Sequence, residues 1–409
     1  MDEKILRKYA ELVINTGVNL QEGQCLSIKG EPIHWHFIDL LQEIAYKRGA
    51  KFVKSDIQSS CSRINKIKYQ KDEYLGHVPP YVENEIDYTV KEKWAFIYLE
   101  GLEQPDCYES LDPQRNATVE KAWREKSKNL MSAAMNGVCH WTIAPIPTPG
   151  WGQKIFGGTP DEKNTKRLWD TLVPILRLNH EDPEKAWREH DRNLKKRIDV
   201  LEKMQLDHLK FTGPDTELFV YLTPLSRWCG GSFTSSEGHS FIPNIPTEEI
   251  FTTPDFRKTS GKVKVTKPVM VMGKHVEDAF FEFKDGKVVN FTAGKNLEIL
   301  EKYFEIDPQA KYVGEIALVD MNSPISKTNK IFHSILLDEN ASCHLALGRG
   351  ISSAVKGGDK MNEDELKKTG HNISLLHTDF MIGSPEINIT GVKRDGQEVN
   401  IMENGYFKI

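Results

Sequence analysis

Between Gly314 and Gly383 the chain sets carboxylates and imidazoles inside runs that a core would otherwise bury. The stretch opens with Gly314-Glu315-Ile316-Ala317-Leu318-Val319. It continues through Asp338-Glu339-Asn340-Ala341-Ser342-Cys343-His344 and closes on Ser374-Leu375-Leu376-His377-Thr378-Asp379-Phe380. Burying such groups is costly unless something pairs with them. A fold that accepts these segments must therefore bring the groups together or supply them with a partner. A metal ion is one such partner.

The rest of the composition is that of an ordinary globular chain. Of 409 residues, 39% are hydrophobic and 28% charged, enough for a sizeable core and for two or three domains. A net charge of −5 and a pI of about 6.3 leave no basic excess to neutralise phosphates, which argues against a nucleic-acid partner. No apolar run is long enough to span a membrane. Met1-Asp2-Glu3-Lys4 is charged and leads into an amphipathic pattern, so no signal peptide is expected. Cys25, Cys61, Cys107, Cys139, Cys229 and Cys343 are scattered with no CxxC spacing. That pattern fits reduced cytoplasmic thiols better than a disulfide frame or a thiolate zinc site.

Along the chain, Ile5, Tyr9, Leu12 and Val13 form one apolar helical face, broken at Gly17-Val18-Asn19. Residues 25–28 read as a strand. Residues 32–47 read as a helix with Ile33, Phe37, Leu40, Leu41 and Ile44 inward, and Lys51-Phe52-Val53 begins another strand. That order predicts βαβ units and a mostly parallel sheet. Further strands are expected at 94–99 and 140–145, a helix over 113–135, and charged helix over 160–205. A domain boundary is placed there, giving an N-terminal α/β domain over 1–205. Beyond Leu206, short strands and turns predominate. Asp285-Gly286 and Asp395-Gly396 signal hairpins. A strand-rich α+β domain is expected over 206–409. There is no HExxH, P-loop, GxGxxG or GxSxG pattern, so the zincin, NTPase, Rossmann and α/β-hydrolase classes lose their main support.

His377 and Asp379 are two apart, and alternate residues of a strand share a face. They could reach one ion together; an Asp–His pair capping a strand end has the same pattern. Glu339 and His344 are five apart, ~140° off-face on a helix turning ~100° per residue. They suit one site if Glu339 opens a helix that carries His344, with Asp338 or Asn340 as cap. A helix start enriched in acids reads the same way. Glu315 heads a buried strand and needs a pair or an ion. Of Glu248 and Glu249, one is expected to face in and the other out. His34 and His36 face apart on a helix and read as structural. Several carboxylates and two imidazoles without thiolate suit Zn, Mn, Co or non-haem Fe. More carboxylates than one ion needs suggests two ions, and hence hydrolysis.

The chain resembles the aminopeptidase T / aminopeptidase S / PepS family of dinuclear metallo-aminopeptidases over nearly its whole length. The shared motifs include Lys8-Tyr9-Ala10-Glu11-Leu12, Gly17-Val18-Asn19-Leu20-Gln21 and Ala45-Tyr46-Lys47-Arg48-Gly49-Ala50. More specific are Asn244-Ile245-Pro246-Thr247-Glu248-Glu249-Ile250-Phe251-Thr252, Gly314 through Val319, Asp338 through His344, and His377-Thr378-Asp379-Phe380-Met381-Ile382-Gly383. The resemblance implies Glu249, Glu315, Glu339, His344, His377 and Asp379 as ligands of two divalent ions per chain (Zn, Co or Mn). Glu315 would bridge them beside the nucleophilic water and handle the proton as the catalytic carboxylate. It implies a metal-bound hydroxide that attacks N-terminal peptide bonds of short peptides, and a homodimer enclosing the active sites.

One position departs from the family. Seven residues after His344, where the family has a tyrosine placed to assist at the metals, this chain has Ile351. Arg349, Ser352 and Ser353 are the nearest replacement donors in sequence. Two other functions keep the same scaffold. One is a mononuclear iron ring-opening dioxygenase, which needs only a His/His/carboxylate set; the retained Glu249 and Glu339 favour two metals over it. The other is a metal- or peptide-binding dimer without turnover, favoured only by Ile351.

Overall fold

The computed structural model describes residues 1–108 and 110–409. The chain forms two compact units. One holds Met1–Glu189 with Ser232–Pro246, and the other holds His190–Gly231 with Thr247–Ile409. This differs from a single break after residue 205, and the reason is local. Helix Pro183–Met204 runs unbroken across residue 189. The segment Ser232–Pro246 then returns to the first unit through backbone bonds. Ile242 N–H donates to Gly17 O (2.8 Å), and Ile143 N–H donates to Pro243 O (2.8 Å).

The first unit is built on strands β1 (Cys25–Gly30), β2 (Phe52–Ile57), β3 (Ala95–Glu100) and β4 (Trp141–Pro145), all parallel, in the order β2-β1-β3-β4. Helix Trp35–Lys47 supplies the first crossover and buries Phe37, Ile38, Leu40, Leu41, Ile44 and Ala45. Ile33 is exposed, against expectation. Pro32–His34 forms a tighter turn ahead of the helix, which takes Ile33 off the buried stripe. His34 and His36 are structural, as expected. Buried His34 accepts from Glu31 N–H at Nδ1 (3.2 Å) and donates from Nε2 to Gly101 O (2.9 Å). His36 lies exposed against Glu3. The helix expected over 113–135 divides at Ser127 into Pro113–Lys126 and Lys128–Met135. The helical stretch over 160–205 divides into Glu162–Ile175 and Pro183–Met204, where a proline at the first helical position starts the second piece.

The remaining strands follow in chain order. They are β5 (Leu206–Gly213), β6 (Thr216–Tyr221), the short pair β7 (Phe233–Thr234) and β8 (Ser240–Phe241) of the returning segment, β9 (Glu249–Thr252) and β10 (Ser260–Lys264). Then come β11 (Val269–Val271), β12 (Lys274–Val276), β13 (Phe280–Lys284), β14 (Lys287–Thr292), β15 (Val313–Val319), β16 (His344–Gly348), β17 (His377–Met381), β18 (Asn388–Lys393), β19 (Glu398–Glu403) and β20 (Tyr406–Phe407). The second unit contains an eight-stranded antiparallel sheet in the order β14-β13-β10-β6-β5-β18-β19-β20. It also contains a four-stranded antiparallel sheet in the order β17-β16-β15-β9. Asp285 and Gly286, both at positive φ, turn β13 into β14 as the Asp-Gly signal predicts.

The two sheets share one core. Ile250, Ile316, Leu318, Leu345, Leu347 and Phe380 alternate along the four-stranded sheet and pack with Phe211, Leu218 and Phe281 of the larger one. The Phe281 and Phe380 rings meet edge to face, 5.0 Å between centroids. Period-two alternation then forces the intervening residues of β9, β15, β16 and β17 to the other face. Gly348 ends β16 at φ +111°, and a Cβ there would meet Leu376 O at 2.1 Å. Gly348→Ala should therefore lower the unfolding free energy by at least about 2 kcal/mol, from backbone strain added to a clash with main chain. A denaturant titration showing an unchanged midpoint would contradict this.

Candidate metal centre

Opposed residues of antiparallel strands share a face, so the register fixes what lies on the side away from the core. Glu315 stands opposite Ala346, and Ala346 opposite Asp379. Ala317 stands opposite His344, Val319 opposite Glu249, and Gly348 opposite His377. One face thus carries Glu249, Glu315, His344, His377 and Asp379, with Ala317, Ala346 and Gly348 between them. The three small residues leave room among the polar groups, while Phe251, Val319 and Met381 share the same face.

The distances bear this out. His344 Nε2 lies 3.1 Å from Glu249 Oε2. His377 Nε2 lies 3.4 Å from Glu315 Oε2 and 3.3 Å from Asp379 Oδ1. Two triads result, Glu249–Glu315–His344 and Glu315–His377–Asp379, each offering ligand atoms within 4.8 Å of one another. Glu315 belongs to both. His377 and Asp379 act from one face of one strand, as expected. The site opens on the His377 side, whose side chain is 35% exposed against 5% for Glu315.

Both imidazoles are oriented from behind. His377 Nδ1–H donates to Arg349 O (2.7 Å), and His344 Nδ1–H donates to Ser342 O (3.2 Å). A carbonyl only accepts, so each ring carries its proton at Nδ1 and turns Nε2 toward the carboxylates. Backbone-anchored rings of this kind are the usual support of metal-bound histidine. Glu249 Oε2 is buried and has no hydrogen-bond donor among the described residues, in spite of its nearness to His344. The donor set is nitrogen and oxygen throughout. These observations fit divalent cations of the Zn, Mn or Co type.

Glu339 reaches the same neighbourhood by another route. It ends the short helix Ile335–Glu339, capped by Ser334. His344 lies beyond it on β16. The helix therefore closes at Glu339 instead of opening at Asp338–Asn340, and His344 is a strand residue. Asp338 does not cap a helix that carries His344. Its carboxylate accepts from Phe332 N–H (2.8 Å) and Ser334 N–H (3.2 Å), and burial holds its pKa up at about 6. Glu339 belongs to neither triad, but it stands within the field of the Glu249 and Asp379 carboxylates. Glu248 is also a correction. Both members of the pair are buried, because Glu248 precedes the strand and escapes its alternation. Its carboxylate lies 3.6 Å from His190 Nε2. Cys343 points away from the ligands, into the core, where Val319 N–H donates to its sulfur (3.3 Å).

The charges are strongly coupled. Burial, and then the neighbouring acids Glu249 and Asp379, push Glu339 well above the usual carboxylate range. Burial also raises Glu315, against the pull of His377. Burial alone would lower His344, but Glu249, Asp379 and Glu315 outweigh it and bring the ring to about 10. His377 is raised in the same way by Asp379 and Glu315. Without a cation the site therefore holds itself together with protons. A histidine raised from 6.5 to about 10 stabilises the folded state fully below pH 6.5, and that contribution is lost as pH rises through 10. Metal-free protein should lose stability over that window while metal-loaded protein does not. Metal binding at pH 7 should also release protons, measured as a dependence of calorimetric heat on the buffer's ionisation enthalpy. Heats independent of the buffer would contradict this account.

The sequence reading did not single out the small residues between the ligands or the polar contacts behind them. The small residues did leave a signal. Ala317 is two residues from Glu315, while Ala346 and Gly348 are two and four from His344.

Known proteins are similar to this chain over nearly its whole length. The family described as thermophilic metalloprotease (M29) matches residues 2–407. Aminopeptidase 2 of Geobacillus stearothermophilus is 36% identical over 403 residues, covering 98% of this chain and 97% of that protein. Aminopeptidase AmpS of Bacillus subtilis is 34% identical over 402 residues, with 98% and 97% covered. The solved structure of wild-type AmpT from Thermus thermophilus superposes with a TM-score of 0.93 at 32% identity, covering 100% of both chains. With a match that spans both units, the chain belongs to the M29 family of thermophilic metalloproteases.

Proposed function

We propose that the chain is a metal-dependent aminopeptidase that removes N-terminal residues from short peptides at a dinuclear site. The observation that carries this reading is Glu315, common to two ligand triads on one sheet face. Relatives named aminopeptidase at 33–36% identity support the reaction class. Glu249 and His344 would hold one ion, and His377 and Asp379 the other. Glu315 would lie between them, and Glu339 would complete the set from its helix. Bound divalent ions would supply Lewis acidity toward the scissile carbonyl and toward water.

The chain's own residues do the rest. Arg349 O and Ser342 O keep Nε2 of both imidazoles facing the site. Buried Glu315, raised above its ordinary range, is suited to take a proton at its carboxylate and return it to the leaving amine. Zn, Co or Mn fits the donor set equally well. All six cysteines are free thiols, which suits a cytoplasmic setting. A homodimer is proposed from the family resemblance alone.

Chelation should abolish hydrolysis of Leu-p-nitroanilide, and added Co, Mn or Zn should restore it. Elemental analysis should find up to two ions per chain. Glu315→Gln should lose at least about 10²-fold in kcat while keeping the circular-dichroism spectrum of the wild type. Activity indifferent to chelators, or a Gln variant as active as the parent, would end the proposal.

Ile351 can be tested separately. Its backbone is held at both ends by Thr253, whose Oγ1 accepts from Ile351 N–H (2.9 Å) and donates to Ile351 O (3.1 Å). Arg349 does not replace the missing hydroxyl, since its guanidinium binds Glu363 (3.0 Å) and Ser374 O (3.4 Å). An oxyanion donor is worth about 2.7–4 kcal/mol. Ile351→Tyr should therefore raise kcat on a leucyl dipeptide at least about tenfold with metal content unchanged. A fast wild type that gains nothing would point to a donor elsewhere.

A further inference from the structure

We infer that Asn340 is the positioning residue that holds Glu249 and Glu339, two ligands of one ion, in a fixed geometry. This rests on the dinuclear reading above. The Asn340 side chain is wholly buried and bonds two separate pieces of chain. Its Oδ1 accepts from the backbone N–H of Glu248 (2.6 Å). Its Nδ2 donates to Leu336 O (2.8 Å) and makes a longer bond to Glu339 Oε1 (3.4 Å). The amide cannot be turned round. Glu248 N–H can only donate and Leu336 O can only accept, so each end of the side chain has one possible role. Ser323 Oγ donates to the Asn340 carbonyl (3.1 Å) and fixes the residue from behind.

The consequence is geometric. Glu249 follows Glu248 directly, at the first position of β9, and its backbone is placed by the bond to Oδ1. Glu339 precedes Asn340 and has its carboxylate oriented by Nδ2. One amide thus sets the spacing between a strand ligand and a helix ligand that no strand register connects. Glu315, His377 and Asp379 are spaced by the sheet itself and do not need it. The loss of Asn340 should fall on the ion held by Glu249, His344 and Glu339. The ion at His377 and Asp379 should be spared.

Chelator-stripped wild type, Asn340→Ala and Asn340→Asp are titrated with Co²⁺. Calorimetry reads affinity and stoichiometry, visible d–d absorption reads coordination, and metal-free thermal midpoints are recorded in parallel. Asn340→Ala should bind one cobalt as the wild type does and the other about 10–100-fold more weakly, with an altered spectrum. Asn340→Asp keeps the size and the bond to Glu248 but sets a carboxylate against Glu339 and Leu336 O. It should also change the spectrum of that one ion, and it carries the test if the alanine variant does not fold. Folded variants with lower metal-free midpoints but two cobalts bound at wild-type affinity and spectrum would reduce Asn340 to a structural role and overturn the inference. If the wild type takes up no cobalt, the dinuclear reading fails first and this inference falls with it.

Discussion

The four-stranded sheet of the second unit, with the short helix Ile335–Glu339 beside it, holds together acids that repel one another. The carboxylates of Glu249 and Asp379 raise Glu315 and Glu339 beside them, and His344 and His377 are the counter-charges among the described residues. Taking one carboxylate out of water costs several kcal/mol, and crowding several multiplies the cost. No flexible surface would hold such a cluster. The four-stranded sheet holds it because its other face is cemented into the core by Ile250, Ile316, Leu318, Leu345, Leu347 and Phe380. The apolar face provides the free energy that keeps the polar face assembled. A divalent cation, which the metalloprotease family implies, would replace protons as the counter-charge.

That division of labour explains the residues between the ligands. Ala317 and Ala346 face the site yet contribute almost no volume, and Gly348 contributes none. A larger side chain at any of them would occupy the space that the ligand atoms surround. The backbone takes part as well. Arg349 O and Ser342 O are main-chain acceptors, so the orientation of both imidazoles is tied to the strand ends and not to mobile side chains. Placing a site on strands in this way makes its geometry as rigid as the sheet.

Strand periodicity made half of the site legible. His377-Thr378-Asp379 and the apolar run after Glu315 state their faces directly, because a strand repeats every two residues. The parallel sheet of the first unit and the hairpin at Asp285-Gly286 were legible for similarly local reasons. What failed lay outside regular elements. The helix Ile335–Glu339 is only five residues long, too short to show a 3.6-residue period, and its cap is Ser334. The acidic Asp338-Glu339 pair therefore looked like a helix start and put His344 on the wrong kind of element. Glu248 sits one residue ahead of β9, where alternation has no force; its N–H donates to Asn340 and its carboxylate faces His190. The division between units escaped because Pro183–Met204 is a single amphipathic helix, whose pattern carries no mark where one unit gives way to the other. Long-range partners such as Asn340 and Glu248 leave no periodic trace at all.

Ile351 shows how scaffold and chemistry separate. The loop after β16 has two tasks that need only its backbone. Arg349 O anchors His377, and the amide and carbonyl of residue 351 bind Thr253, just beyond the end of β9. Neither task depends on the side chain at 351. The strand that carries His344 and the strand that carries Glu249 therefore stay linked whether isoleucine or tyrosine occupies the position. Arg349 likewise serves the site through its carbonyl, while its guanidinium is spent on Glu363 and Ser374. A departure from the family pattern at this place removes a hydroxyl and leaves the ligand geometry standing. Under the proposed function the change would bear on the reaction, and not on the placement of the candidate ligand groups.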